Sequence, residues 1–524
     1  MRRLVLGFAL LTAGCERNTG DPSPYQDRDE DGFTGSSDCD DDDPSVNPDA
    51  LEIVWDGVDN DCDPTTPDDD LDGDGVDVAA DCDEGDAQAG ADEAERCVSI
   101  GAADTVITGV DRGSDLGTSL AFLPDGALVA GAPGLNGDAG AVLIYASADL
   151  LAGDLGIDDA RARLDGTRAL DRIGDQGSIA VTDDGGLLVG APNWDPGGFG
   201  NAGVAFLLLA DDLTASGRID DLAAVELQGR ATGDRFGERV GQGDVDGDGL
   251  LDLLVTSSGD DEAYANAGAL AVFLGAGLAP GTRSIEDADA RITGTFNERM
   301  GKGPPRLVGD LDGDGVPDLA LASSGSSAGG LTGNGVVYII STDGLADSDV
   351  VDASWLMFIG AAEGDLFGAE LAATGDLDDD GFAEVAISAL RGETDQTNEG
   401  AVHLWWGGGG QSGTVGAQSA DLTWNGGTGL ARAGDGLYAV DGDLIFGVPY
   451  REGSARAYVL SRADADAWRG GDPAADAQTW VTAAAPAAPL DTLAVSSGGW
   501  IAAGLPTTGA GGRAEAGAVH LFQP

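Results

Sequence analysis

Three nine-residue segments carry oxygen ligands at a spacing suited to a hard cation: residues 244–252 (DVDGDGLLD), 310–318 (DLDGDGVPD) and 376–384 (DLDDDGFAE). Carboxylates stand at positions 1, 3, 5 and 9 of each. These are Asp244, Asp246, Asp248 and Asp252; then Asp310, Asp312, Asp314 and Asp318; then Asp376, Asp378, Asp380 and Glu384. Glycine at position 6 permits the sharp turn such a loop needs. The residue after it, Leu250, Val316 or Phe382, offers its backbone carbonyl. Calcium takes about six to eight oxygens, and a short loop of alternating aspartates supplies them. The loops start 66 residues apart, twice in succession. Three loops in phase are poorly explained as isolated solvated turns, and the elements that hold them must recur with the same period.

Two further acidic loops lie near the N-terminus. Residues 27–38 (DRDEDGFTGSSD) and 70–81 (DLDGDGVDVAAD) place carboxylates at positions 1, 3, 5 and 12, with glycine at 6. The candidate ligands are Asp27, Asp29, Asp31, the Phe33 carbonyl and Asp38, then Asp70, Asp72, Asp74, the Val76 carbonyl and Asp81. This is EF-hand spacing with aspartate in place of the bidentate glutamate. No amphipathic helix flanks either loop, which argues against a true EF-hand pair. All five cysteines fall between residues 15 and 97, which suits an oxidising compartment. Cys39, Cys62, Cys82 and Cys97 can pair in three ways by sequence alone. A stretch with so few apolar residues needs metal and disulfides to hold it. A thiolate zinc site is disfavoured by the absence of a Cys-x-x-Cys pair and of nearby histidine. The run from 27 to 97 resembles the acidic metal-binding repeats of bacterial surface proteins and is similar to thrombospondin type-3 calcium repeats. One staple per unit, Cys39–Cys62 and Cys82–Cys97, is the simplest pairing.

Residues 1–14 read as an address. A basic pair, Arg2 and Arg3, precedes an apolar run from Leu4 to Leu11, and small residues lead to Cys15. The run is too short to span a bilayer. It resembles a bacterial lipoprotein signal, which implies cleavage before Cys15 and lipidation there. Multiple acyl chains anchor a protein stably. Residues 15–26 then form a polar tether. Glu16 favours the outer membrane, so the expected location is the bacterial cell envelope, surface-exposed, with membrane contact only through the lipid anchor.

The chain has 524 residues, too many for one hydrophobic core, and a formal net charge of −67. Such a surface repels nucleic acid and anionic membranes and attracts cations. Apolar residues make up 42 %, so it is not an acidic disordered chain throughout. The 86 glycines show no collagen-like triplet and point to turn-rich β-structure.

From residue 104 to 524 the chain is repetitive. A small-residue segment recurs seven times, about 60 residues apart, at 131–133 (GAP), 190–192 (GAP), 257–258, 323–324, 388–389, 447–449 and 504–506. A glycine-rich loop follows each, then a strand-like run such as 141–145 (AVLIY) or 401–405 (AVHLW). Phe-Gly or a variant precedes the acidic loops at 236–237, 300–301 and 367–368. Short strands at this period indicate propeller blades. The order resembles the FG-GAP repeat of integrin α-subunit heads. It implies an all-β fold, a seven-bladed β-propeller preceded by a small irregular module (27–98) stabilised by disulfides and calcium. By that resemblance calcium sits in the first hairpin of the three acidic repeats. The other hairpins, at 124–126, 183–186, 441–443 and 496–499, have ordinary turn sequences and no ligand ladder.

Segments such as 225–229 and 290–294 should be the outer strand of the preceding blade. The chain ends at 519–522 without one, so residues 104–109 should cross the seam and pair near 517–523.

Little else suggests catalysis. His403 and His520 occupy equivalent repeat strands, a structural pattern, and no catalytic residue is assigned. Trp405 and Trp406, followed by four glycines, could form a sugar platform but read first as half core and half edge. The expected function is a calcium-binding, non-enzymatic surface platform, acting as a monomer, for an extracellular protein or polysaccharide. The alternatives are an extracellular hydrolase of glycans or phosphodiesters and a metal-sequestering surface protein.

Overall fold

The computed structural model describes Phe33, Pro48 and residues 98–99, 105–109, 113–151, 153–392, 399–408, 410–425, 432–440, 443–451, 454–460, 478–482, 492–496, 500–505 and 518–522. The chain divides into two compact units, Met1–Glu95 and Arg96–Pro524. In the first unit only the half-buried Phe33 and the exposed Pro48 are described. The signal segment, the tether, Cys15, the four cysteines expected to pair and every other N-terminal ligand expected above lie outside the described residues.

The second unit is all β. Among the described residues its strands form seven sheets, six of five strands and one of four. Within each, four consecutive strands run antiparallel, as in Leu120–Phe122, Leu128–Ala132, Ala141–Tyr145 and Ala162–Asp165. The innermost strands lie side by side in sequence order. Thr492–Val495, the last, lies beside Leu120–Phe122, the first, which closes the ring of a β-propeller.

Burial follows from this layout. A second strand is covered by sheets on both sides, so Leu128–Ala132 and Leu187–Ala191 are buried at every residue. Fourth strands such as Val225–Gln228 and Ala290–Thr293 alternate buried and half-buried positions, because only one face meets a neighbour. The core lies between neighbouring sheets. Val142, Leu164, Val189 and Val204 fill one such interface, and Phe358, Phe367 and Trp405 another.

The recurring small residues have a steric cause. A β-carbon on Gly131 would overlap the carbonyl oxygen of Gly174, which opens the next sheet. Gly504 meets Gly117 in the same way across the ring seam. There Thr492 Oγ1 also donates to the Gly117 carbonyl at 2.5 Å. Glycine is the only residue that lets the two backbones approach this closely.

The expected seam is present. Thr105–Thr108 pairs antiparallel with Ala518–Phe522, with Val106 opposite His520. Segments 225–228 and 290–293 are outer strands of their preceding sheets, as expected. The structure adds a fifth, parallel strand that the sequence reading missed. Gly281–Ser284 pairs with Val225–Gln228, and Gly413–Gly416 with Ser354–Ile359. Val98–Ser99 does the same for Gln478–Thr482, so the ring recruits chain ahead of the expected start at residue 104. The closure is therefore doubled: two N-terminal strands complete two C-terminal sheets.

The expectation of a seven-bladed propeller is met in part: among the described residues six blades are complete. Six sheets are complete five-stranded blades, and the sheet from Phe367–Gly375 to Leu422–Asn425 has four strands. Residues 461–477, after Ser454–Leu460, lie outside the described ones.

Candidate metal centres on three inner hairpins

Each acidic segment links the first and second strands of one sheet. Its position-9 carboxylate is the first residue of the buried second strand: Asp252, Asp318 and Glu384 open Asp252–Ser257, Asp318–Ser323 and Glu384–Ala389. The register of a strand that is buried on both faces thereby fixes one end of the loop.

The loops fold by one internal pattern. The position-1 carboxylate accepts from the position-6 glycine N–H: Asp244 from Gly249 at 3.0 Å, Asp310 from Gly315 at 2.8 Å and Asp376 from Gly381 at 2.9 Å. The position-5 carboxylate accepts from the position-7 N–H, at 2.8 Å in the first two loops and 3.0 Å in the third. The position-9 carboxylate reaches back to the position-2 N–H. Asp252 accepts from Val245 at 2.7 Å, Asp318 from Leu311 at 3.0 Å and Glu384 from Leu377 at 2.6 Å. Position 4 adopts a left-handed conformation in all three, with Gly247, Gly313 and then Asp379.

These bonds gather carboxylates. Asp376, Asp378, Asp380 and Glu384 bring one oxygen each within 4.8 Å of one another. Asp244, Asp246 and Asp248 do so in the first loop, and Asp310, Asp312 and Asp318 in the second. Asp252 and Asp314, expected as ligands, lie outside these tighter groups. Both oxygens of Asp252 are held by backbone, by Val245 and, at 2.7 Å, by the Gly275 N–H.

The electrostatics favour a cation. Burial, with neighbouring carboxylates adding, pushes Asp318 up to about 6 and Glu384 up to about 7. Burial raises Asp252 as well. One oxygen of Asp244 is buried without a hydrogen-bond partner. A divalent ion would relieve the mutual repulsion and satisfy that oxygen, so the residues present fit a hard cation.

Sequence reasoning missed the outer partners of position 9. Trp355 Nε1 donates to the second oxygen of Asp318 at 2.9 Å, and the Gly407 N–H approaches that of Glu384 at 3.5 Å. These donors lie in, or just past, other strands of the same sheet, at spacings the nonapeptide cannot reveal. The second and third loops also touch. The Asp310 carbonyl accepts from Ala383 N–H, and the Leu311 carbonyl from Gly408 N–H, both at 2.8 Å.

His403 plays no part in these loops. It is buried in a third strand, with Nδ1 3.0 Å from Thr423 Oγ1, and burial lowers its pKa to about 4. Among the described residues no helix is long and apolar enough to cross a membrane.

Comparison with known proteins agrees with this geometry. The FG-GAP repeat matches at residues 236–273, 307–340 and 367–405, each holding one acidic hairpin. A metal-binding motif of the Cu-binding MopE type matches at 38–68 and 81–100. Integrin alpha-PS5 of Drosophila melanogaster is 32 % identical over 167 residues, and integrin alpha-IIb of Homo sapiens 32 % over 173. Each match covers 31 % of this chain and 15 % of the relative's length. Among solved structures, a chain from a mitotic checkpoint complex covers 80 % of this chain and 95 % of its own. Its TM-score is 0.41 at 12 % identity, too distant to carry weight.

Proposed function

We propose that this chain, a β-propeller that carries FG-GAP repeats and an N-terminal metal-binding motif, is a calcium-binding cell-surface lipoprotein. Its closed seven-bladed ring serves as a non-enzymatic platform for a protein or polysaccharide partner. In the ring, calcium is held by Asp244, Asp246, Asp248, the Leu250 carbonyl and Asp252, and by the corresponding residues of the other two loops. The N-terminal loops around Asp27 and Asp70 hold further metal. Cys39–Cys62 and Cys82–Cys97 staple them, and Cys15 carries the lipid anchor at the outer membrane.

The observation that carries this reading is the third hairpin, where four carboxylates converge within 4.8 Å. Oxygen-only ligands on a short flexible loop suit calcium better than softer metals. A binding role suits carboxylates that are tied by hydrogen bonds into their own hairpins.

Calorimetric titration of metal-stripped protein with calcium tests the proposal. Saturable binding is expected, with one site lost in Asp376→Asn/Asp378→Asn. Heat indistinguishable from dilution, or unchanged stoichiometry in that variant, would overturn it. Pull-down from the outer surface of the source cell, with and without calcium, then addresses the partner.

A further inference from the structure

Beside the third acidic hairpin lies a cleft of about 480 Å³, walled by Asp380, Phe382, Trp406, Gly408, Gln411 and Asp421. A recess of about 110 Å³ adjoins it, bordered by Trp355 and Leu311. We propose that this cleft binds one or two pyranose units of a neutral glycan. The proposal rests on the reading of the propeller as a binding platform and names its ligand class.

Strand alternation sets up the site. Trp405, the last residue of Ala401–Trp405, is fully buried against Phe358, with ring centroids 4.4 Å apart. Trp406 falls just past the strand end on the opposite side and is half-buried. Its backbone N–H donates to Asp421 Oδ2 at 3.0 Å, which ties the indole's base to the carboxylate on the rim. Phe382 packs over Gly313 of the neighbouring hairpin and against Gly408. A β-carbon on Gly408 would collide with that ring. The glycines after Trp406 therefore let the Phe382 ring pack against their backbone, and the Trp406 indole stands beside it on the cleft wall.

The wall chemistry selects the ligand. Among the described residues no lysine or arginine borders the cleft or the recess, and the chain carries a net charge of −67, so an anionic ligand is disfavoured. Acidity is general on this chain and does not mark the cleft. Aromatic faces and an amide beside a carboxylate do. A pyranose ring presents an apolar C–H face that stacks on an indole or phenyl ring. Its hydroxyls can donate to Asp421 and both donate to and accept from Gln411. The volume falls within the ~300–1,000 Å³ of small-ligand sites.

The test is calorimetric titration of the full chain, in calcium-saturated buffer, with cellobiose, lactose, maltose and mannobiose, and with choline chloride as a cationic probe. Saturable binding of at least one disaccharide is expected. Trp406→Ala should weaken it roughly tenfold, as loss of an aromatic contact implies. Asp421→Asn and Gln411→Ala should weaken it less, and either serves if Trp406→Ala does not fold. Phe199→Ala, at an exposed position on another sheet, should leave it unchanged. No saturation with any disaccharide, saturation by choline alone, or unchanged affinity in the cleft variants would overturn the proposal. A calcium titration of the metal-stripped chain separates the two readings: calcium bound without sugar sinks this proposal alone, and sugar bound without calcium sinks the ion reading alone.

Discussion

Between Phe122 and Leu128 the first sheet turns in five residues. Gly126 N–H donates to the Leu123 carbonyl at 2.8 Å, and Asp125 accepts from Ala127 N–H at 2.9 Å. Between Gly243 and Asp252 the third sheet uses eight residues and stacks carboxylates. Both connections join the same two strands of a blade. Burial would raise the Asp125 pKa, but the Arg161 guanidinium, 2.7 Å away, outweighs it and lowers the value. In the acidic hairpins the position-9 carboxylates are shifted upward instead. The first kind of hairpin is complete within the chain. The second kind leaves charge that an external ion would balance, so the proposed calcium binding predicts one ion-independent sector and one ion-dependent sector in the same ring.

Chelation should separate the sectors most strongly. An ion at 100 times its Kd contributes about 2.7 kcal/mol per site by mass action. Metal removal is expected to lower the melting temperature and to open residues 244–252, 310–318 and 376–384 to protease. Cutting at 124–126 and 183–186 should stay unchanged. Peptide mapping after limited proteolysis reads this directly, and uniform cutting round the ring would erase the distinction.

A single substitution sharpens it. Asp318→Asn should cost about 2 kcal/mol in saturating calcium, the order of one lost site. In chelator the cost should vanish or change sign, because the substitution relieves repulsion from Asp312 and Asp314. Urea melts under both conditions measure the difference, and an equal loss in each would contradict an ion-dependent hairpin.

The pH response should also be local. The buried His403 has a folded pKa of about 4 against an ordinary value of 6.5, so the folded state requires the neutral ring. Its contribution is complete above pH 6.5 and is lost as pH falls toward 4, amounting to about 3 kcal/mol at most. The equivalent residue of the first sheet is Leu143, which does not titrate. His403→Leu should flatten the stability profile in that window when melts are compared with the parent. An unchanged slope would assign the acid sensitivity to the carboxylates instead.

The smallest effect is expected at the tight turn. Asp125→Asn removes a half-exposed ion pair with Arg161 and should change stability by less than ~1 kcal/mol, equally with and without calcium. Calcium dependence of that change, read in the same urea melts, would break the contrast from the other side.

Much of this was legible because it is local. The runs at 141–145, 204–208, 401–405 and 518–522 are strands with the expected bounds. A strand buried on both faces needs an unbroken apolar run, which stands out among glycines. The fifth strands were not legible. Gly217–Arg218 and Ser348–Asp349 have two residues each and too little side-chain pattern to announce a strand. They pair through backbone groups with partners about 50 residues away. A buried acid two residues ahead of the apolar–glycine pair was also overlooked. Asp171, Asp234, Glu298 and Asp365 accept backbone N–H bonds in the same loop of four successive repeats. That signal was present at a constant offset and could have been found.

Alternating aspartates, the glycine at position 6 and the 66-residue interval were sufficient to locate the acidic hairpins and the ring that repeats them, because residue spacing and strand period are properties of neighbouring residues. Which carboxylates converge, why Trp405 lies in the core while Trp406 borders a cleft, and how a second N-terminal strand, Val98–Ser99, joins another C-terminal sheet were settled only by the folded ring. Those outcomes depend on groups far apart in the chain, and only the packing of one sheet against the next brings them together.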